Sequence, residues 1–249
     1  MKNKSRNQRV VSLDPPMPRG YVEASWAWDV NIQSPDTVLS PCKRAVYFHI
    51  DPVIDGGTAG VRGDRGFVYG EHYWEIEFLE PPAGMSVMVG VGTSKAALHA
   101  GKFRYIDLLG MDSESWGLSY KGTVWHGGHS QRYTEPFYSQ GTVIGVHLNL
   151  EEGTLSFYRD GKSLGVAFTG LHKVQSPLYP MVSSTSPGTE LELGLRCCSL
   201  PSLQERCLDT LAHSLAQKDL ADFLPLPPVV KWKLKSWNYD KTQSVLGCK

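Results

Sequence analysis

Hydrophobic positions in the central part of the chain recur in short runs, and each run is bounded by glycine, proline, asparagine or aspartate. Runs of this kind, rich in β-branched and aromatic residues, are typical of β-strands joined by tight turns. The pattern predicts strands at 45–49, 72–79, 86–92, 115–120, 141–149, 154–159, 165–168, 179–183 and 190–195. Because many short strands follow one another, we expect an all-β core built as a two-sheet antiparallel β-sandwich.

Alternation within one run indicates which side chains face the core. Between Tyr73 and Phe78 every second residue is apolar, and the residues between them include two glutamates. Since successive side chains of a strand point to opposite faces, Trp74, Ile76 and Phe78 are predicted to lie on the buried face.

A tight turn is predicted at Asp160-Gly161, which separates the run 154–159 from the apolar residues that follow. Asp-Gly tolerates positive φ at both central positions of a two-residue hairpin. We therefore expect a β-hairpin here.

The pattern changes after Ser199, where apolar residues recur every three or four positions: Leu200, Leu203, Cys207, Leu208, Leu211 and Leu215. This spacing predicts an amphipathic helix over about 202–217, with Ser202 as N-cap and Glu205 at the capping-box position. The prolines within 222–230 exclude a continuous helix and predict an extended, exposed apolar segment that binds a partner. A short closing helix is expected at 231–237.

The chain thus divides into a flexible N-terminal tail (1–20), a sandwich domain (21–199), a helical region (200–237) and a C-terminal tail (238–249). The N-terminal tail is assigned from its polar, basic character and from the prolines that end it.

Composition narrows the classes of partner. Lys and Arg together number 25, the same as Asp and Glu, so no bulk positive charge attracts nucleic acid or anionic lipid. No apolar run is long enough to span a membrane, and the basic N-terminus precedes no apolar signal region. We expect an intracellular protein of the cytoplasm, with the nucleus as a further compartment. The five cysteines are an odd number and are interpreted as reduced thiols.

Motifs for catalysis or cofactor binding are not found in the sequence. It has no G-x-S-x-G elbow and no conspicuous Ser, His and Asp grouping, and Gly90-Val91-Gly92 lacks the third glycine of a dinucleotide fingerprint. His126 and His129 could coordinate a metal ion, but an ordinary loop explains the two histidines more simply. We therefore expect no catalytic residue, no metal site and no cofactor.

Aromatic residues of the predicted strands are interpreted as core residues: Trp74, Trp116, Phe157 and Tyr179. Trp125 differs, because it lies between Lys121-Gly122-Thr123 and His126-Gly127-Gly128, a turn-rich setting. Packing and ligand contact are equally compatible with this position.

Several motifs together resemble the SPRY domain in order and spacing over residues 24–195. They are Glu71-His72-Tyr73-Trp74-Glu75-Ile76, Val89-Gly90-Val91-Gly92-Thr93, Ser115-Trp116-Gly117-Leu118, Gly153-Thr154-Leu155-Ser156-Phe157 with Asp160-Gly161, and Leu178-Tyr179-Pro180-Met181-Val182.

The region after Ser199 resembles a SOCS box. Leu203, Cys207 and Leu211 fit its elongin-binding motif, and Leu224-Pro225-Leu226-Pro227 fits its cullin-selecting motif. Together with the sandwich, this identifies the chain as similar to the SPRY domain-containing SOCS box family, and in particular to its divergent third type. The resemblance implies a non-catalytic ubiquitin-ligase adaptor whose partners are elongin B, elongin C, a cullin with its RING protein, and a target bound through a short peptide segment.

The resemblance also implies a peptide site on loops at one edge of the sandwich: Pro52, Val53, Ile54, Asp55, Trp125, Thr185 and Ser186. The chain departs from members that bind Asn-rich peptides, because it has Ile50 in place of an arginine and Ser186-Pro187 in place of Trp-Gly. An alternative remains in which the tail helix packs on its own sandwich and the protein is an interaction scaffold without ligase recruitment.

Overall fold

The computed structural model describes residues 21–50, 56–101 and 103–199, together with residues 207, 210, 211, 222–228, 230, 231 and 234 of the C-terminal part. The described residues between 21 and 199 form sixteen strands and one short 3₁₀ helix at Leu171–Lys173. The strands are β1 (Tyr21–Glu23), β2 (Trp28–Gln33), β3 (Thr37–Leu39), β4 (Ala45–Phe48), β5 (Thr58–Gly63), β6 (Glu71–Phe78), β7 (Val87–Gly92), β8 (His99–Ala100), β9 (Ser115–Ser119), β10 (Thr123–His126), β11 (His129–Arg132), β12 (Val143–Asn149), β13 (Thr154–Arg159), β14 (Lys162–Thr169), β15 (Tyr179–Ser184) and β16 (Glu190–Ser199).

Two antiparallel sheets of eight strands each make up the sandwich. The first has the order β14-β13-β12-β6-β16-β4-β3, with β1 also paired to β16. The second has the order β11-β10-β9-β7-β15-β5-β2, with β8 also paired to β5. The all-β, two-sheet antiparallel sandwich expected from the sequence is therefore confirmed.

The buried face of β6 shows how the sequence places the core. Trp74, Ile76 and Phe78 are buried, whereas the intervening side chains are only partly covered. The Trp74 ring meets Trp26 edge-on with 5.9 Å between centroids, a favourable aromatic geometry. Burying a side chain of this size contributes roughly 1.5–3 kcal/mol, so these alternate positions hold the two sheets together.

The hairpin predicted at Asp160-Gly161 is also confirmed. Arg159 pairs with Lys162, which leaves a two-residue turn between β13 and β14. Asp160 and Gly161 have φ values of 50° and 78°, the left-handed region that this turn requires.

One surface of the second sheet is covered by chain that the sequence pattern did not reveal. We call residues 93–101 and 103–112 the covering segment. Its Ala96 and Leu109 form a small apolar cluster with Met88 of β7 and Met181 of β15. Because the neighbouring Val89 and Val182 face the main core, the two methionines lie on the opposite face of the sheet. Gly60 of β5 also lies beside Leu98 and Leu108 of the covering segment, so strands β5 and β7 are buried on both faces.

The two ends of the sandwich meet at β1 and β16, where Tyr21 pairs with Ser199. The Tyr21 hydroxyl donates to Glu71, whose other carboxylate oxygen accepts the Asn149 side-chain amide at 2.6 Å. Burial is the main cause that raises the pKa of Tyr21, so its hydroxyl remains a donor. This contact fastens the first strand to the sheet.

The C-terminal part is helical at Cys207, Thr210 and Leu211 and again at Pro228, Val230, Lys231 and Leu234. The first three residues fall within the helix predicted at 202–217, although its predicted cap, Ser202 and Glu205, lies outside the described residues. The second helical stretch begins before the expected residue 231. In the described portion of the chain, no helix is long and apolar enough to cross a membrane.

Candidate functional site

The ends of β7 and β15 are joined by hydroxyl hydrogen bonds just beyond the strands. The Thr185 hydroxyl accepts the Ser86 amide at 2.9 Å and lies 3.1 Å from the Ser86 carbonyl oxygen. Thr185 is 5% exposed, so little of it is available to a ligand. The Thr185 hydroxyl thus joins the two strand ends, and its part in peptide binding stays a prediction.

Ser186 follows directly and lies on the surface of the same edge. Its amide donates to the Ser184 hydroxyl at 3.0 Å. A Cβ atom on Gly84 would lie 2.9 Å from the Ser186 Cβ, so the Gly84 backbone packs closely against Ser186. The Tyr120 hydroxyl donates to the Gly84 carbonyl at 2.6 Å, and burial raises the pKa of Tyr120 and keeps it protonated.

The first predicted loop residues, Pro52, Val53, Ile54 and Asp55, lie outside the described residues. Both flanks of that loop are described, and both reach the same edge. The His49 ring nitrogen is 3.1 Å from the Ser184 carbonyl oxygen, and the Gly56 carbonyl accepts the Phe103 amide at 2.6 Å. The described residues on either side of this loop therefore lie beside Ser184 and the covering segment.

The covering segment supplies residues that the sequence did not predict. The Thr58 hydroxyl lies 3.1 Å from the Arg104 carbonyl oxygen and accepts the Ile106 amide at 2.9 Å. Asp107 accepts the Ser86 hydroxyl at 2.7 Å. These contacts fix the backbone on either side of Tyr105, and the side chains of Phe103 and Tyr105 both lie beside Gly56.

Exposed apolar side chains converge on this region. We define the loop edge as Ile50, Gly56, Met85, Phe103, Tyr105 and Ser186. Its large apolar members are exposed by 60% at Ile50, 59% at Met85, 70% at Phe103 and 43% at Tyr105. Ile50 follows β4 of the first sheet, and the other members lie near the ends of β5, β15 and β7, neighbouring strands of the second sheet that together span roughly 10 Å. Surfaces that combine a few large apolar groups with fixed backbone suit protein binding.

Backbone geometry marks the same edge. Four non-glycine residues among those described have positive φ. Two of them lie near the ends of the loop 51–55: His49, with φ of 52°, precedes it, and Phe103, with φ of 59°, is bonded to Gly56 after it. A bulky residue in this region is strained and persists only where neighbouring contacts hold it. Such outliers cluster at ligand-binding sites, which favours the loop edge as a candidate site.

Trp125 lies apart from this edge. It pairs with Gly117, which is level with Gly90 and Met181, whereas the loop edge begins beyond Ser184. Trp125 is therefore separated from the loop edge by three residues along the strands and by three strand-to-strand steps across the sheet, which is more than about 10 Å in each direction. Trp125 is half-buried against the Met88 cluster, and its indole donates to the Thr123 hydroxyl at 3.0 Å. Its role in binding stays a prediction.

One grouping of Ser34, Asp36 and His99 has the residue types of a hydrolase triad. The Ser34 hydroxyl is 2.9 Å and the Asp36 carboxylate 3.7 Å from His99, but both approach the same ring nitrogen, Nδ1. A triad needs the hydroxyl and the carboxylate on opposite nitrogens. The buried Ser34 is also closed to a substrate, so this arrangement cannot act as a proton relay to a nucleophile.

The paired histidines of the β10–β11 hairpin are used structurally at one position. His126 stacks on Trp116 with 4.4 Å between ring centroids, and its Nδ1 lies 2.8 Å from the Ser115 carbonyl oxygen. Among the described residues, no group of three or more His, Cys, Asp or Glu side chains could hold a metal ion.

The C-terminal part has a small apolar cluster of its own, which we call the tail cluster. Leu234 is buried, and four side chains pack around it: Leu211, Leu224, Leu226 and Val230. The sequence predicted an exposed apolar segment here, and for Leu224 and Leu226 that prediction is wrong, because both are partly buried against Leu234. Pro225 and Pro227 are exposed as expected.

The predicted elongin stripe is described only in part. Cys207 is an exposed thiol, whereas Leu211 is half-buried in the tail cluster. Leu203 lies outside the described residues. The contribution of these three side chains to elongin binding therefore stays a prediction.

Comparisons with known proteins match a large part of the chain. The SPRY domain family model matches residues 71–196. SPRY domain-containing SOCS box protein 3 of Xenopus tropicalis is 41% identical over 207 residues, which cover 83% of this chain and 56% of that protein. SPRY domain-containing SOCS box protein 1 of Homo sapiens is 32% identical over 235 residues, which cover 88% of this chain and 83% of that protein. The chain thus spans little more than half the length of the Xenopus relative.

Solved structures share the sandwich. The SPRY domain of human HERC1 superposes with a TM-score of 0.54 at 20% identity and covers 71% of this chain and 99% of that one. The TRIM65 PSpry domain gives a TM-score of 0.54 at 26% identity, with 68% of this chain and 89% of that one covered. The likeness to the HERC1 domain concerns the fold alone.

Proposed function

The chain belongs to the family of SPRY domain-containing SOCS box proteins, and we propose on that basis that it is the substrate-recognition adaptor of an elongin–cullin–RING ubiquitin ligase. In this proposal the sandwich holds a short segment of a target protein, and residues 200–237 recruit elongin B, elongin C and a cullin with its RING protein. The outcome is ubiquitination and proteasomal degradation of the target.

The observation that carries the proposal is the match to the human relative over 88% of this chain, which extends beyond the sandwich into the C-terminal part. A sandwich alone would support only a binding module. The tail cluster supports a second functional region, because Leu234 and its neighbours form a packed apolar group in the C-terminal part.

Target capture is assigned to the loop edge. Ile50, Met85, Phe103 and Tyr105 offer apolar groups on a backbone already fixed by the Thr58, Ser86 and Thr185 hydroxyls. Preformed sites lose little conformational entropy on binding, so a few such anchors can supply most of the affinity. The loop residues Pro52, Val53, Ile54 and Asp55 would extend the same surface, and Ser186 would border it.

Recruitment is assigned to two parts of the tail. Leu203, Cys207 and Leu211 share one helical face at i, i+4 and i+8, the arrangement by which a helix enters an apolar groove. The segment Leu224-Pro225-Leu226-Pro227 is proposed to select the cullin. The adaptor then acts without catalysis of its own, by raising the local concentration of ubiquitin-charged enzyme near the target.

Reconstitution with purified components tests the proposal. The full chain, mixed with elongin B and C, should form a stable complex that a cullin–RING pair then joins, as seen by size-exclusion chromatography. Absence of elongin from the complex would reject the adaptor function and favour the scaffold alternative, in which the apolar tail residues serve only the tail cluster.

A further inference from the structure

The face of the first sheet that points away from the core carries a group of carboxylates. Alternate residues of β6 and of the first half of β16 are buried, so the residues between them point outward. These outward residues include Glu71, Glu75 and Glu77 of β6 and Glu190 and Glu192 of β16, which we call the acidic face. All five are partly exposed, so their charges are open to a partner.

Like charges oppose each other directly on this face. Glu192 of β16 pairs with Glu77 of β6, which places their Cβ atoms about 4.5–5.5 Å apart, and like charges in this position destabilise a sheet. In the described part of the chain, no lysine or arginine forms an ion pair with a carboxylate of the acidic face. Arg44, which precedes the other strand neighbour of Glu192, donates instead to the Leu193 carbonyl at 2.7 Å. The face therefore retains negative charge that a cationic partner would neutralise.

Two tyrosine rings lie on the same face. Tyr73 lies between Glu71 and Glu75 on β6, and its hydroxyl donates to Glu75 at 3.0 Å. Burial raises the pKa of Tyr73, so this hydroxyl stays a donor and adds no charge. The Tyr158 ring meets Tyr73 edge-on with 5.8 Å between centroids. Carboxylates beside aromatic rings suit guanidinium and ammonium groups, which form both ion pairs and cation–π contacts, so the acidic face fits a polypeptide segment rich in lysine and arginine.

The chain has such a segment, and it leads directly onto this face. Residues 1–20 contain one acidic residue, Asp14, and five basic residues: Lys2, Lys4, Arg6, Arg9 and Arg19. Tyr21 follows, and its hydroxyl donates to Glu71 of the acidic face. The chain between Arg9 and Tyr21 can span up to about 40 Å, whereas Glu71 and Glu77 are about 20 Å apart along β6. The basic side chains can therefore reach every carboxylate of the face.

We propose that the acidic face is a docking surface for this basic segment of the same chain, in which lysines and arginines of residues 2–9 pair with Glu75, Glu77 and Glu192 and stack on Tyr73. The opposed charges of Glu77 and Glu192 are then neutralised within the molecule. The inference goes beyond the proposed function and does not rest on it, because the acidic face is formed by the interiors of strands in the first sheet, whereas target capture is assigned to the loop edge.

Carbodiimide coupling tests the proposal in the full chain, because it joins a lysine amine to an adjacent carboxylate without a spacer. Peptide mapping by mass spectrometry should find Lys2 or Lys4 joined to carboxylates of the acidic face within one molecule. These products should be several times more abundant than products with Asp112, a more exposed carboxylate of the covering segment on the second sheet. Raising the salt from about 0.1 M to about 1 M shortens the Debye length from roughly 10 Å to roughly 3 Å and should reduce their yield several-fold.

Two isosteric double variants separate docking from a general effect of charge. Glu77→Gln with Glu192→Gln should lower the coupling of the two lysines to Glu75 several-fold. The thermal unfolding midpoint should be no lower than that of the wild type, since a repulsive pair is removed. Asp112→Asn with Glu135→Gln removes two charges outside the acidic face and should leave the coupling to Glu75 unchanged.

Absence of coupling, or equal coupling to Asp112 and to the acidic face, would overturn the inference. Products that join two molecules, seen as covalent dimers, would also overturn it, because the occupant of the face would then be a second copy of the chain. Coupling to Glu75 that persists undiminished in the variant Glu77→Gln with Glu192→Gln would contradict the role of the opposed charges. Assembly with elongin does not depend on any of these outcomes.

Discussion

Hydrogen bonds from single hydroxyl groups fix the backbone of the loop edge, and single exposed apolar side chains give it a surface suited to protein binding. The hydroxyls of Thr58 and Ser86 bond to the covering segment and fix it against the strand ends, and the Thr185 hydroxyl joins the ends of β15 and β7. Phe103 and Tyr105 make no comparable apolar contribution to the interior and remain largely exposed. We therefore expect substitutions of these two exposed rings to change the affinity for the target more than the free energy of unfolding.

Phe103→Ala is expected to weaken target capture by about tenfold to thirtyfold, because an exposed aromatic anchor is lost from the loop edge. The thermal unfolding midpoint should hardly change. The measurement uses a target segment identified by affinity capture with mass spectrometry, titrated against both proteins. Wild-type affinity for Phe103→Ala would remove the covering segment from the site, and Tyr138→Ala serves as the control for loss of an exposed ring.

Trp125→Ala is expected to act mainly on stability. Its ring packs on the Met88 cluster, so truncation should cost about 2 kcal/mol of unfolding free energy, less than the about 3–5 kcal/mol of a fully buried tryptophan. Chemical denaturation measures this loss. A fall in target affinity of the folded variant, at unchanged stability, would instead place Trp125 in a binding site that reaches across the covered sheet.

His72 makes the stability of the sandwich dependent on pH. Burial lowers the pKa of His72 to about 3, and its ring stacks on Phe67 with 3.9 Å between centroids. The unfolded chain takes up a proton near pH 6.5 whereas the folded chain does not, so stability falls as pH decreases below 6.5. The contribution lost by about pH 4 is on the order of 3 kcal/mol.

The variant His72→Gln keeps a neutral side chain that can donate to the Tyr69 carbonyl, the present partner of the ring at 2.8 Å. Denaturation curves between about pH 4 and pH 7 should show a shallower loss of stability for this variant. The exposed His129→Gln should follow the wild-type curve. Parallel curves for wild type and His72→Gln would show that His72 is not the group responsible.

At the level of elements, the tail divides into a packed side and an outward side. Leu211, Leu224, Leu226 and Val230 enclose Leu234, while Cys207 and the outward row of Phe223, Pro225 and Pro227 stay exposed. Apart from Leu211, which belongs both to the proposed elongin-binding face and to the tail cluster, recruitment and folding of the tail are therefore expected to depend on different side chains.

Replacing Leu203 and Cys207 together by polar residues should abolish elongin binding, because two anchors of one helical face would bring polar atoms without partners into an apolar groove. Capture of purified elongin B and C by the full chain measures the effect. Target capture by the sandwich should persist in the same protein. Undiminished elongin binding would refute the assignment of this helical face.

The substitutions Leu224→Ala and Pro225→Ala are expected to have different effects on the tail. The first removes a partly buried side chain from the tail cluster and is expected to destabilise it by about 1–2 kcal/mol, so that elongin and cullin binding fall together. The second removes an exposed ring and should weaken cullin binding alone. Hydrogen exchange of the tail, compared between the two variants, separates them; equal protection in both would contradict the burial of Leu224.

For the molecule as a whole, the sequence predicted those strands in which the alternation of apolar and polar residues matches the burial of one face. Strands such as β6, with one buried face, show the alternation that identifies them. Strand β5 was missed because it contains two glycines and the covering segment buries its second face, which removes the alternation. Phe103 and Tyr105 were missed for a related reason: their place at the loop edge depends on Thr58 and Ser86, which are remote in sequence. The inward leucines of the tail depend likewise on Leu234.

The pairing of Tyr21 with Ser199 brings the first and last strands of the sandwich side by side, with Cα atoms about 5 Å apart as in any antiparallel pair. A linker of a few residues could therefore join these two positions without disturbing either sheet. New termini could then be opened in the exposed turn at Gly127-Gly128, where β10 leads into β11. The sandwich is thus suited to circular permutation and to insertion within a surface loop of another protein.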